Sequence, residues 1–468
     1  MKRVVIAGAG IAGLSIAWAL RQRQPGIDVV VLERRARTGG NIQTERVDGY
    51  TCEAGPDGFL DSAPATLELI GQIGLSARLL PSNDAARRRY IVHRGRLCEV
   101  PSSIGAVLRT PLLSGRGKLR LALEPFARRS SEAEESIQEF ARRRIGGEAT
   151  SMFVEPMVSG IFAGDVNALS LRACFPRMWQ LEADHGGLVR AHLATRRSRR
   201  PATPAGSPAG RLTSFTGGMA ELTDTLTERL GDAVRTSTPV VALEERLRIG
   251  LDPQGFPATR YAVRTPGGPI GADAVVLSGP ASESAAILQD FDRTIATHLQ
   301  GIATAPLAVI GVGFNSRDIT PRGTLDGFGF LVPRHEGIRI LGALWETSIY
   351  RHRSPAGKVL LRVMIGGATD PEAVGLSDDE LLEIVRRDLA RIMGLSAVPE
   401  FVRIIRHAGG IPQYVKGHLA RIHRIETLLQ AHPGLHLAGN SYRGVSINAC
   451  ISEAGRIADL VLRSGAAP

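Results

Sequence analysis

Apolar and polar positions along the chain fall into two kinds of pattern. Short runs dominated by apolar residues occur at 4–7 (VVIA), 28–33 (DVVVLE), 272–281 (ADAVVLSGPA) and 435–438 (LHLA). Runs of this length that lead into glycine-bearing turns predict buried strands of a parallel sheet. The middle of the chain differs. Segments 117–129, 133–147 and 172–197 place apolar residues three and four apart, so residues from about 107 to 193 are expected to be helical. A last helix is expected to open near Val445 or Ser446, with Ile447, Ile451, Ala454 and Leu460 on its apolar side.

With strands near the start, the middle and the end, the sheet-bearing domain is expected to be discontinuous: residues 1–88, 239–290 and 425–468. Residues 89–106, 194–238 and 291–424 are left to build a substrate region, and 107–193 a helical lobe. A chain of 468 residues is long enough for this division. Its 43% apolar content and 53 glycines fit a globular α/β (α+β) enzyme.

Charge adds little. The net charge of +11 comes from 57 basic residues, but nearly all are arginines scattered along the sequence, which reads as compositional bias and not as a nucleic-acid face. Aromatic residues, at 5%, are too few for base-stacking platforms. Cysteines 52, 98, 174 and 450 form no C-x-x-C pair, so no metal site or disulfide framework is expected. The opening MKRVVIAGAG enters a strand after two basic residues, without an export signal, and no apolar run approaches a membrane span. A cytoplasmic protein is expected. The stretch 196–211 is basic and then rich in Pro, Ala, Gly and Ser, as in a surface loop.

The first strand ends in Gly8-Ala9-Gly10-Ile11-Ala12-Gly13. Gly8 makes a tight turn, Gly10 admits phosphate close to the backbone, and Gly13 lets the next helix approach the sheet; its N-terminus then faces a pyrophosphate. Glu33 closes the second strand twenty residues after Gly13, where an acid accepts the ribose hydroxyls of an adenosine. After it come Arg34, Arg37, Gly39, Gly40 and Asn41. This E-x-x-x-R-x-G-G extension resembles that of flavoproteins with a two-dinucleotide-binding motif, which implies FAD, with Arg37 suited to the phosphates. Flavoproteins of this kind aim their last helix at the flavin's pyrimidine edge, which implies roles for Gly439, Asn440, Val445, Ser446 and Ile447. Val240 is placed like the residue whose backbone meets adenine.

Further stretches carry a closer resemblance: EAGPDGFL (53–60), RRRYIVHRGRL (87–97), VSGIFAGDVNALS (158–170), GFGFLVP (327–333), LGALW (341–345), VMIGG (363–367), GIPQYVKGHL (410–419) and GNSYRGVSINAC (439–450). Over nearly the whole chain the sequence resembles the oxygen-dependent protoporphyrinogen oxidases of haem biosynthesis. The resemblance implies a Rossmann-like FAD domain, a substrate domain like those of amine oxidases and p-hydroxybenzoate hydroxylase, and a lobe that touches the membrane. It also implies flavin contacts at Gly55, Pro56, Asp57 and Gly58. Arg89 is placed to pair with a porphyrinogen propionate, and Phe328, Leu331, Leu344, Met364 and Ile411 to line the tetrapyrrole pocket. Electrons would pass to O2, giving hydrogen peroxide, and members of the family often dimerise.

Alternatives stay open at several points. Arg89 can also be read as a solvated neighbour of Arg87 and Arg88, the apolar positions as plain core, and the lobe helices as ordinary amphipathic helices. Asp57 and Gly58 stand where relatives commonly carry Asn or Arg and then Ser. No acid or base is assigned; His407 and His418, flanking GIPQY, read as structural. Protoporphyrinogen IX is the expected substrate, with coproporphyrinogen III as the alternative. Amine oxidases, carotenoid desaturases and a non-enzymatic carrier resembling the Rab GDP-dissociation inhibitors share the scaffold, but the first usually carry an acid where this chain has Asn440.

Overall fold

The computed structural model describes residues 2–130, 132–197, 210–245, 259–319 and 325–464; most of the 196–211 loop therefore lies outside the described residues. Five parallel strands form the first sheet, in the order Val234–Arg235, Asp28–Leu32, Arg3–Ala7, Ala274–Leu277, Leu435–Leu437. The apolar runs are explained by burial on both faces. Val4, Ile6, Val29, Val31, Ala274 and Val276 pack with the helices Ile11–Arg23 and Ile447–Arg463, while Val5, Ala7, Val30, Leu32, Val275 and Leu277 pack on the other side. An alternating strand buried on both faces needs no polar positions.

The edge strand Val234–Arg235 and the helix Ala220–Leu230, whose Leu222, Leu226 and Leu230 join the first of these cores, fall inside the stretch 194–238 that the sequence assigns to the substrate region. A two-residue strand carries no periodicity to find.

A second sheet has seven strands: Phe401–Pro412, Thr304–Asn315, Lys358–Gly366, Gly342–Leu344, Gly329–Leu331, Tyr90–His93 and Arg96–Glu99, in that order. One face buries Ala308, Ile310, Phe330, Ala343, Val363 and Ile365 under Leu381, Val385 and Leu389 of the helix Asp378–Met393. The other face is left for the site.

Between 104 and 197 the described residues form helices and turns without a strand of their own. This region has an ionic interior. Arg144, fully buried, lies 3.1 Å from Glu124 and 3.5 Å from Glu182; Arg143 pairs with Glu135 at 2.6 Å and Glu182 at 2.7 Å. Removing one partner of such a network strands buried charge, at a typical cost of about 3–5 kcal/mol. Arg144→Ala is therefore expected to lower stability by that amount in chemical denaturation. An unchanged midpoint would show the network to be dispensable.

Candidate active site

A cleft of ≈ 430 Å³ runs from the ends of the parallel strands to the free face of the seven-stranded sheet. The first helix opens onto it. Gly10 caps that helix without a side-chain hydrogen bond, and its first turn holds no acid, so its leading N–H groups are left for an anion. Gly8 holds φ +106°, which favours glycine, and a Cβ on Gly13 would lie 2.0 Å from the Gly8 carbonyl oxygen. Glu33, 7% exposed, accepts N–H bonds from Ala9 and Arg35, each at 2.9 Å. The acid is thus fixed at the end of its strand before any ligand arrives.

The closing helix points a second N-terminus into the same cleft, where Val445, Ser446 and Ile447 form wall; Ser446 caps it by accepting from Ala449 N at 3.2 Å. Gly8, Gly10, Ile11, Ala12, Glu33, Arg34, Gly40, Asn41, Gly55, Pro56, Gly58, Gly439 and Asn440 also line the cleft, as do Met364 and Ile411. A cradle of glycines, an acid with two preset oxygens and two helix ends fits a dinucleotide with a pyrophosphate.

Other expected residues stand behind the wall. Ala9, which donates its N–H to Glu33, and Gly13, packed against the Gly8 carbonyl, do not line the cleft. Arg37 donates to the carbonyls of Thr38 and Gly40, each at 3.0 Å, and burial lowers its pKa. Val240, half-buried, packs on the second face of the parallel sheet. The Asp57 side chain is buried and lies outside the wall, and its charge helps to raise the pKa of Glu346.

Register explains the pocket positions. Leu344 faces Arg362 and Leu331 faces Gly342, which faces Met364; Met364 in turn faces Val309. Directly opposed residues share a face of a sheet, so Leu331, Leu344, Met364 and Val309 form one surface, with Leu307 beside them. Leu331 reaches the cleft wall at Gly160, where an added Cβ would lie 2.8 Å from it. Phe328 and Leu344 pack with Ile349 and Tyr350. The Arg89 guanidinium lies 5.4 Å from the Phe328 ring centre. Arg87 and Arg88 pair with Asp84 and Asp326, but no carboxylate pairs with Arg89 among the described residues, and desolvation lowers its pKa although the residue keeps an exposed surface.

Sequence reasoning missed Arg362, Leu307, Val309, Gly160, Ile161 and Ser278 in the wall. For Arg362 a signal existed: one charge inside VLLRVMIGG, two residues from Met364 and hence on its face. Ser278 donates toward the carbonyls of Ala7 and Gly8 at 2.9 Å and fastens the glycine turn. GIPQY also has a structural account. Tyr414 donates to Asn440 O and accepts from Gly444 N, and it stacks on His418, whose Nε2 bonds Tyr442 O at 3.0 Å. Together they hold the 439–444 turn. His407 Nε2 bonds Ala54 O at 2.7 Å. Burial lowers the pKa of both histidines, so neither carries a ready proton at neutral pH.

His93, His335 and Glu336 bring potential ligand atoms together elsewhere, but the Glu336 oxygens already accept from Arg94 N at 2.7 Å and Gly95 N at 3.0 Å.

Fold and cleft thus define an α/β flavoprotein oxidoreductase. The chain belongs to the flavin-containing amine oxidoreductase family, whose model matches residues 11–462. It is 34% identical to the chloroplastic protoporphyrinogen oxidase of Oryza sativa subsp. japonica, across 96% of this chain and 86% of that one. Identity to the coproporphyrinogen III oxidase of Bacillus subtilis (strain 168) is 31%, across 97% and 96%. A crystal structure from Exiguobacterium sp. 255-15, provisionally assigned as a protoporphyrinogen oxidase, superposes with a TM-score of 0.84 at 28% identity, covering 99% of each chain. The chain is a FAD-dependent oxidoreductase.

Proposed function

We propose that the protein oxidises a porphyrinogen in haem biosynthesis, converting protoporphyrinogen IX to protoporphyrin IX. The observation that carries this is the apolar sheet face of Leu331, Leu344, Met364 and Val309 beside the cleft, with an unpaired guanidinium at Arg89. A broad apolar surface with a few fixed polar groups suits a large flat ligand. Arg89 offers a planar fork to a propionate.

In this proposal Gly8–Gly13 and Glu33 hold the ADP half of the cofactor, Gly55, Pro56, Gly58 and the 439–447 turn the flavin half, and Phe328, Leu331, Leu344, Met364 and Ile411 the tetrapyrrole. Bound FAD supplies the hydride acceptor, and O2 takes the electrons away as hydrogen peroxide. The chain's own part is positioning. The domain division is proposed as stated above, with 220–238 moved to the nucleotide part because its helix and strand pack there.

Relatives are named for protoporphyrinogen and for coproporphyrinogen III. Side-by-side turnover of the two porphyrinogens, with and without O2, is expected to show faster porphyrin fluorescence with protoporphyrinogen IX under air. No turnover of either removes the proposal; preference for coproporphyrinogen III reassigns the substrate.

We further propose a peripheral membrane contact through the lobe at the cytoplasmic face. No described helix is long and apolar enough to cross a membrane. Phe126 and Leu108, 77% and 65% exposed, lie on the lobe with exposed Leu119, Leu123, Val189 and Leu193 among basic residues, a pattern suited to anionic headgroups. The protein is expected to float with anionic vesicles at low salt, and Phe126→Asp to weaken flotation severalfold. Absence of flotation by the wild-type protein ends this proposal.

A further inference from the structure

Beneath the Gly55–Gly58 wall lies a buried group of charges that the reaction does not use. Three carboxyls, Glu53, Asp57 and Glu346, are 2%, 7% and 1% exposed; two guanidiniums, Arg353 and Arg362, are 0% and 7% exposed. Glu53 is well provided for: it pairs with Arg353 at 2.5 Å and accepts from Thr44 Oγ1 at 2.7 Å and Met219 N at 2.9 Å. Arg353 spends its other end on Ser214 Oγ at 3.0 Å. Arg362 pairs through Nε with Glu346 at 3.0 Å and donates through Nη1 to the Gly55 carbonyl at 2.5 Å. Neither oxygen of Asp57 has a donor among the described residues, and Glu346, on which the Asp57 charge acts, has only the ion pair with Arg362 there.

Two neighbouring buried carboxyls do not both ionise, so one keeps a proton. The charge count demands the same one, since three carboxylates against two guanidiniums leave an unpaired buried negative charge, which is strongly disfavoured. Burial pushes the Glu53 carboxyl up as well, but Arg353, Thr44 and Met219 pull it back down, whereas Asp57 and Glu346 lack such donors among the described residues. Burial raises the pKa of the Tyr350 hydroxyl and pushes the Cys52 thiol up to about 12, so both stay neutral, and His352 is pushed down.

We propose that this buried group keeps one proton on Glu346, beside Asp57, and that the group, tied to the cleft wall through Arg362 and Gly55, makes the protein's hold on FAD depend on pH. With its proton the group is neutral. Without it, one net negative charge stands behind a wall against which an anionic dinucleotide must bind. Binding and proton retention are therefore linked, and each favours the other. Asp57 and Glu346 are positioning residues: Arg362 lines the cleft and they act through it. The inference uses the FAD cleft and not the porphyrinogen proposal.

Burial and the neighbouring Asp57 push the Glu346 carboxyl up to about 8, which sets the window. FAD is expected to be held more tightly below it, and its dissociation constant to rise on the order of tenfold from pH 6.5 to 9. The readout is flavin fluorescence released on dilution of purified holoprotein. Asp57→Asn and Glu346→Gln each leave two carboxylates for two guanidiniums, so each is expected to flatten this dependence while keeping high-pH affinity. In the infrared, the wild-type protein is expected to show the C=O stretch of a protonated carboxylic acid at pH 7, and either variant to lack it. A wild-type protein without that band, or variants with the wild-type slope, would overturn the proposal. Should Asp57→Asn fail to fold, Glu346→Gln and the wild-type band decide it.

Discussion

Gly13→Ala is expected to purify colourless. The added Cβ would lie 2.0 Å from the Gly8 carbonyl oxygen and 2.6 Å from Ser278 Oγ. The first contact is backbone of the turn that carries the cradle, so no flexible side chain can absorb it. Relief requires the first helix to move away from the sheet, but Leu14, Ile16, Ala17 and Leu20 on that helix are all buried in the core. Overpacking of this kind costs up to about 3 kcal/mol. If the helix shifts, its N-terminal N–H groups lose their aim, and weakening of FAD binding by on the order of 100-fold follows. The measurement is flavin absorbance per protein before and after addition of FAD. Gly115→Ala is the control, because nothing lies within 4 Å of the added atom there; it should stay yellow. A Gly13→Ala protein with full flavin content would mean that the helix end does not hold the cofactor.

What the sequence revealed about this site follows the range of the interactions involved. Gly8 to Gly13 and Glu33 are legible because one strand, one turn, one helix and the next strand place them, all within a short span. The closing helix is legible from its own apolar spacing. Leu331, Leu344 and Met364 come from three strands, and taken singly each looks like core; only the register that puts Leu344 opposite Arg362 and Leu331 opposite Gly342 assigns them one face. Gly160 and Ile161 reach the cleft from the helical lobe, a packing that no local pattern encodes. Charge partners were equally hidden. Asp57 departs from the motif, but Glu346, the carboxyl whose charge it opposes, lies nearly three hundred residues away and is brought near only by the fold. Along the lobe, spacing alone gave helices without saying which faces are covered, and Phe126 and Leu108 prove to be exposed.

The second large effect is expected at Arg89, and it separates the two roles that the sequence left open for this residue. A solvated surface arginine can be removed with little consequence, usually within about 0.5 kcal/mol. An arginine that meets a propionate cannot: hydrogen bonds to charged groups contribute about 1.5–3 kcal/mol, so Arg89→Ala should lower kcat/KM for a porphyrinogen by on the order of 100-fold. The loss should fall on KM with kcat nearly unchanged, because the carboxylate lies remote from the reacting carbon and binds equally in ground and transition states. Flavin content should not change, since Arg89 is not part of the cleft wall. Arg89→Lys keeps the charge but loses the fork and the stacking on Phe328, and should recover only part of the loss. A porphyrinogen with esterified propionates supplies the decisive comparison: it has no carboxylate to pair, so wild-type and Arg89→Ala proteins should turn it over at similar kcat/KM. If Arg89→Ala damages acid and ester alike, the guanidinium acts through Phe328 and the fold and not on the substrate. If neither suffers, the residue is a bystander and the propionate is held elsewhere.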